Sequence, residues 1–429
     1  MLRLFRDAAP IFALMRNLLV LLFFILTCST QAADRELTLA REMLEDSIIR
    51  NDVEGMQFAR ARLVRLTAES DDRTVQRDAH YLAALSVSFE SFSGLGDVPP
   101  TLMMTGVRHA DRAVELDPQF AEGWAMSAML RGLAMRAGQP VPSDPPGSPN
   151  RFARAKELDP KAPAVAFFNG MFTSMNPNGA APPEGVKMFD DLASRLEAER
   201  KAGRRFGLWD AQTEAWRLFV RIAQDEPQAA TLRPMVARLL EQRPDFALGR
   251  EIADSVNERS FVAPPALTWQ PSLTDAASDG KNPKLPDVIS VDRAEDAERI
   301  WVRVGFRETL PRSFGVNLVV DRDGDPSTGM KWWGNGSSFR FDRLVTAWIS
   351  RDGDRYFGRV GVTDDTGARA AKLMKITTDV AVAMGSDERS VMIGVPRSAL
   401  GWTSASTMIV AGGSHLVWND DAASAVNSR

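Results

Sequence analysis

The chain has 429 residues, 44% of them apolar and 25% charged, with a formal net charge of −4. This supplies core material for two or three domains, and its acidic balance excludes a general binder of nucleic acid or anionic membrane. The single cysteine, Cys28, excludes a disulfide framework within the chain.

At the N-terminus Arg3, Arg6 and Arg16 precede an unbroken apolar run over residues 18–26. Thr30 and Ala32 then stand at the small-residue positions that a signal peptidase reads, so residues 1–32 are expected to be a cleaved signal peptide, with Met1 or Met15 as its start. A nine-residue run is short for a membrane span, and Thr27 is a poor residue before a lipidated cysteine. Cleavage takes three arginines and Asp7 from the formal −4, leaving −6, and removes Cys28. The mature chain then has no thiol nucleophile or thiolate metal site, no stable membrane insertion, and a periplasmic or secreted location.

Residues 33–258 carry the amphipathic-helix period. Leu37, Ala40, Met43 and Leu44 show it, as do Ala110, Ala113, Val114 and Leu116. Prolines and glycines punctuate the pattern near residues 94–100 and 138–149, and residues 176–186 read as a long inter-helix loop. A short motif repeats: Ala113-Val114-Glu115-Leu116-Asp117-Pro118 returns as Ala155-Lys156-Glu157-Leu158-Asp159-Pro160. Helix, Leu-Asp, then a proline turn is stop-and-start chemistry.

On these residues the region resembles tetratricopeptide repeats. One unit opens at Trp216, with Phe219, Val220 and Ala223 on its first helix and Leu232, Val236, Leu239 and Pro244 at the second-helix and closing positions. A second runs from Trp124 to Pro160 with extra loop residues, although Ser127 and Arg131 occupy positions that are usually apolar. The resemblance implies a helical solenoid that recruits a partner protein. Trp124, Trp216, Phe219 and Phe246 are expected in its core.

Residues 259–286 are rich in proline and read as a linker and lead-in. From 287 to 429 the period becomes two: Ile300, Val302, Val304 and Phe306 alternate with Trp301, Arg303, Gly305 and Arg307, and Phe314, Val316, Leu318 and Val320 alternate again. Further strands are expected at 338–342, 344–351, 355–362, 379–384, 390–395 and 407–411. Many short strands without intervening helices predict an antiparallel β-sandwich. The fold class is therefore an all-α helical-repeat solenoid followed by that sandwich.

Seven of the ten tryptophans lie from residue 259 onward. Trp332 and Trp333 fall in a glycine-rich loop. Trp301 faces away from Ile300 and Val302, and Trp348 lies on a strand. These four are the candidate ligand-binding residues, since indoles stack on sugar rings and also fill cores. Asp321, Asp323 and Asp325 alternate at a strand end, which suits either a calcium ion or a plain solvated acidic turn. The loop is not an EF-hand, because Gly324 comes two residues early and Trp332 stands where a glutamate is needed.

The loop over residues 321–329, the strand pair at 339–350 and Val395-Pro396-Arg397-Ser398-Ala399-Leu400-Gly401 resemble the family-9 carbohydrate-binding-module and DOMON-like sandwiches. The resemblance implies a role in binding sugar or haem. The haem branch uses Met and His ligands, and His415 is the only histidine of this half with no methionine to pair with it by spacing, so polysaccharide is the expected ligand.

No Gly-x-Ser-x-Gly elbow, His-Glu-x-x-His helix or P-loop occurs in the mature chain, and His80 and His109 read as isolated surface or capping residues. A glycosidase pair drawn from Asp321, Asp323 and Asp364 stays as the enzymatic alternative. The expected function is a non-catalytic binding or scaffold protein of the cell envelope. Its alternatives are a glycan-active enzyme with a carboxylate site, or a sandwich that docks protein instead of sugar.

Overall fold

The computed structural model describes residues 32–422 apart from 94–98, 137–138, 145–147, 149, 175–181, 224–227, 276–279, 281–284, 326, 333–338, 364–375 and 414–417. The expected signal segment up to residue 31, with Cys28, lies outside these, as do Trp333, Asp364 and His415. Ala32 already lies on the first helix. Helices occupy the first part of the chain and antiparallel sheets the second. The chain divides into two compact units: one of residues up to Ile48, Glu54–Ser88 and Thr101–Leu158, the other of Ile49–Val53, Phe89–Pro100 and the chain from Asp159 onward.

The first unit holds most of α1 (residues 32–50), α2 (Val53–Glu69), α3 (Arg73–Ser93) and α4 (Pro100–Leu116), with α5 (Ala121–Arg136) and α6 (Arg151–Leu158); the ends of α1 and α3 and the first residues of α2 and α4 belong to the second. Small side chains fill its interior: Ala40, Ala59, Ala79, Ala110, Ala113 and Ala125 are fully buried. Both copies of the Leu-Asp-Pro motif use their aspartate alike. Asp117 accepts from the backbone N–H of Gln119, and Asp159 from those of Lys161 and Ala162, so each carboxylate satisfies backbone donors where one helix stops and the next starts. Ser127 and Arg131, the two departures from the repeat pattern, serve a polar network. Both bind Asp111, which also pairs with Arg151, and Arg131 reaches the Pro142 carbonyl to pin the long loop.

The second unit opens with α7 (Pro163–Ser174), α8 (Pro183–Lys201), α9 (Leu208–Ile222), α10 (Ala229–Gln242) and α11 (Ala247–Ser255), each packed on chain neighbours. Helix α8 begins at Pro183, inside the stretch expected to be loop, with its proline in the first turn, where an N–H would have no partner within the helix. Trp216 lies in the second half of α9, whose start at Leu208 precedes the start expected from the repeat spacing. Its ring packs among Phe167, Phe189 and Phe219, and Phe246 is buried.

The strands of the second unit are β1 (Arg259–Ser260), β2 (Gln270–Thr274), β3 (Val288–Glu295), β4 (Arg299–Phe306), β5 (Ser313–Asp321), β6 (Met330–Lys331), β7 (Arg340–Phe341), β8 (Arg343–Asp352), β9 (Arg355–Thr363), β10 (Ile376–Thr378), β11 (Ala381–Met384), β12 (Ser390–Pro396), β13 (Thr407–Gly413) and β14 (Trp418–Ala422). A single helical turn, α12 (Arg397–Leu400), follows β12. One sheet runs β1-β9-β8-β5-β13-β14 with β10 also on β9, a second runs β11-β12-β4-β3-β2, and β6 pairs with β7. The alternating residues of β4 and β5 (Ile300, Val302, Val304, Phe306 and Phe314, Val316, Leu318, Val320) join one core shared by both sheets.

Residues 259–286 are not a free linker. β1 pairs with β9 and β2 with β3, while Leu273 and Leu285 are buried. Pro271 is accommodated because β2 is an edge strand, where a missing N–H breaks no ladder.

Candidate functional site

Strand β5 is buried along nearly its whole length and ends at Asp321. Beyond it the chain turns back on itself, and Asp342, just before β8, donates its backbone N–H to the Val320 carbonyl. The β5–β8 register, with Val320 opposite Arg343, brings Asp342 beside the end of β5. Carboxylate oxygens of Asp321, Asp323 and Asp342 all lie within 4.8 Å of one another.

Asp325, expected as the third oxygen donor, is not in this group. It accepts from the backbone N–H and hydroxyl of Ser327 and serves as a turn cap. Asp342 takes its place, and nothing in the local spacing reveals it, because it arrives through strand pairing.

Within the trio the charge is costliest at Asp321. Burial raises the Asp321 carboxyl above the usual carboxylate range, and neighbouring Asp323 and Asp342 push the same way, against the hydrogen bond from the Gly324 N–H. Asp323 is exposed and held below its usual value by the Asp325 N–H and the Thr328 hydroxyl. The loop is tightly fixed. Gly324 and Gly329 adopt positive φ, and a Cβ on them would stand 2.7 Å from the Ala405 carbonyl and 2.5 Å from the Phe341 carbonyl.

This donor set fits a hard cation. Calcium–oxygen distances of about 2.3–2.6 Å allow donors around one ion to stand up to roughly 5 Å apart, and the trio is within that span. An ion there would neutralise the charge that burial makes costly at Asp321.

Calcium is therefore expected to raise the midpoint of thermal unfolding. With free ion at about 100 times its Kd the stabilisation is about 2.7 kcal/mol, or roughly 5–10 °C for a unit of this size. Asp323→Asn and Asp342→Asn should abolish the rise while keeping their turn hydrogen bonds, and Asp325→Asn should retain it. Calorimetry with calcium and with chelator checks this, and an unmoved wild-type midpoint would reduce the trio to an acidic turn.

The tryptophans are distributed differently from expectation. Trp332 is 1% exposed and packs with Val319, Met330, Phe341, Leu344 and Ile409 in a small core on the outer face of the first sheet. Trp301 is on the outer face of β4, as the alternation requires, yet it is also buried. Leu267 and Trp269 from the lead-in cover it, its indole N–H donates to Asp296 at 2.7 Å, and its ring lies across Gly394. A ring with no free face cannot stack on a sugar, so both are corrected from ligand contacts to packing.

Trp348 is half-buried on β8, opposite Arg359 in the β8–β9 register. Two further indoles retain partial exposure: Trp269, with the Arg303 guanidinium 4.7 Å above it, and Trp402, with Arg293 at the same distance. Sequence reading had not singled these out, because each arginine comes from a distant strand. No protein-family model, no curated protein and no solved structure matches this chain.

Proposed function

We propose that the chain is an exported, non-catalytic binding or scaffold protein of the cell envelope. A tetratricopeptide-like helical region recruits a partner protein, and a carbohydrate-binding-module-like β-sandwich holds glycan. The observation that supports the glycan reading is the set of partly exposed indoles: Trp348 on β8, Trp269 immediately before β2 and Trp402 just after α12. Trp348 is held by its strand, and Trp269 and Trp402 are each backed by an arginine that offers donors to sugar hydroxyls, so the rings lose little freedom on stacking. Calcium at Asp321, Asp323 and Asp342 would offset the charge cost of the adjoining loop. The periplasmic or secreted location rests on the apolar run and small-residue site before Ala33.

Purified full-length chain, screened against envelope polysaccharides with calcium and with chelator, is expected to bind one class weakly and release no product. A stacked indole contributes about 1 kcal/mol, so Trp269→Ala, Trp348→Ala or Trp402→Ala at a contact position should weaken binding about fivefold. Released product would make the chain a glycan-active enzyme. Absence of any glycan binding would turn the sandwich into a protein-docking module.

A further inference from the structure

Two of the three histidines meet inside the helical unit. His80 on α3 and His109 on α4 bring their Nδ1 atoms to 2.8 Å, with ring centroids 5.1 Å apart. Such a bond needs one Nδ1–H and one bare Nδ1, so it exists while the pair carries at most one extra proton. When both rings are cationic, two N–H groups point at each other and no acceptor remains.

The surroundings offer no relief. Helices α3 and α4 run antiparallel, pinned at one end by Arg73 donating to the Leu116 carbonyl and by Arg77 paired with Asp117. Towards the other end they approach so closely that a Cβ on Gly106 would stand 2.7 Å from Val87. The charges acting on the pair are cationic: Arg60 from α2, and Arg108 and Arg112 from α4. Asp78 is taken up by Arg77 and Arg41, Asp111 by Arg131 and Arg151, and Glu115 by Arg112, while Glu90 is buried about three turns further along α3 from His80. From the neighbouring α1 and α5, Glu45 and Glu122 face Tyr81. Three arginines around the pair also weigh against a divalent cation between the rings.

We propose that the His80–His109 contact is a proton-operated latch: it fastens α3 to α4 near neutral pH and releases them when the second imidazole takes a proton. Burial and the cationic neighbours hold both rings below the ordinary histidine range, His80 at about 4. The sign follows from linkage. A base whose folded pKa is depressed leaves stability unaffected above about 6.5 and erodes it as pH falls from there towards the folded value. Glu251 acts oppositely over part of the same window. Burial raises it to about 7, so its contribution is lost as pH rises. A global midpoint therefore mixes the two, and a local reading is required.

The test is hydrogen–deuterium exchange of full-length protein at pH 7.5 and pH 5.0, corrected for intrinsic rates and read on the peptides of α3 and α4. Wild type should lose at least about tenfold protection there on acidification. His80→Gln and His109→Gln, whose amides bond without titrating, should lose far less. In parallel, imidazole NMR should place both rings below the ordinary range, with His415→Gln assigning the third signal. Equal loss in wild type and variants, or either ring titrating at about 6.5, would overturn the latch. If neither variant folds, the wild-type imidazole titration decides alone.

Discussion

A chain that begins at residue 287 should fail to fold, whereas one that begins at residue 159 should fold. The proline-rich stretch before 287 reads as a linker, but it supplies two strands and several core side chains. β1 covers one side of β9 and β2 closes the edge at β3. Leu273 is buried in the shared core with Phe261 against it, and Leu267 and Trp269 roof the cluster around Trp301. A buried apolar side chain contributes about 1.5–3 kcal/mol, so losing Leu273 and Leu285, with smaller losses at the partly buried Phe261, Leu267 and Trp269 and the pairing of two strands, removes much of the roughly 5–15 kcal/mol that holds a domain together. Circular dichroism and a cooperative urea transition on the two fragments check this. A cooperative transition in the 287–429 fragment would show that the lead-in is dispensable.

Trp332→Ala should destabilise the second unit by about 3–5 kcal/mol, the range for emptying a buried large aromatic site. The indole is enclosed, with Phe341 edge-on at 6.2 Å, and its backbone N–H donates to the Phe339 carbonyl at 2.7 Å. Its cluster seals the outer face of β5 at Val319, two residues before Asp321. Loss of the ring should therefore also loosen the acidic loop. At about 2–4 °C per kcal/mol the midpoint should fall by roughly 6–20 °C, against a much smaller fall for half-exposed Trp348→Ala. A Trp332→Ala protein with wild-type stability and weakened glycan binding would return the residue to the ligand site.

The difference between Trp332 and Trp348 shows where sequence reading stops. Period two correctly places Trp301 opposite Ile300 and Val302. It cannot say whether the outer face of a sheet is wet, because that depends on which distant segment lies over it. For Trp301 that segment is the lead-in. For Trp332 it is the outer face of the sheet with Met330 and Phe341 of the β6–β7 pair, although the glycines around it in sequence look like those of an exposed turn. Likewise Asp321 and Asp323 are legible as a carboxylate pair, while Asp325 turns aside to Ser327 and Asp342 enters from the next strand. Sequence shows His80 and His109 as unrelated positions on separate helices. The antiparallel packing of α3 and α4 makes them one titrating unit.

By itself the sequence determined what repeats locally: the helical period up to residue 258, the alternation from Ile300 onward, the stop-start aspartates Asp117 and Asp159, and the strand-end position of Asp321. These follow from neighbouring residues along one chain, since the geometries of helix and strand are periodic and a cap acts within a turn. Tertiary structure alone decided the covering of Trp301 and Trp332, the recruitment of Asp342, the meeting of the two histidines and the place of the lead-in within the sheets. Each of these brings together residues far apart in sequence, and burial, carboxylate repulsion and hydrogen bonding act on distance in space.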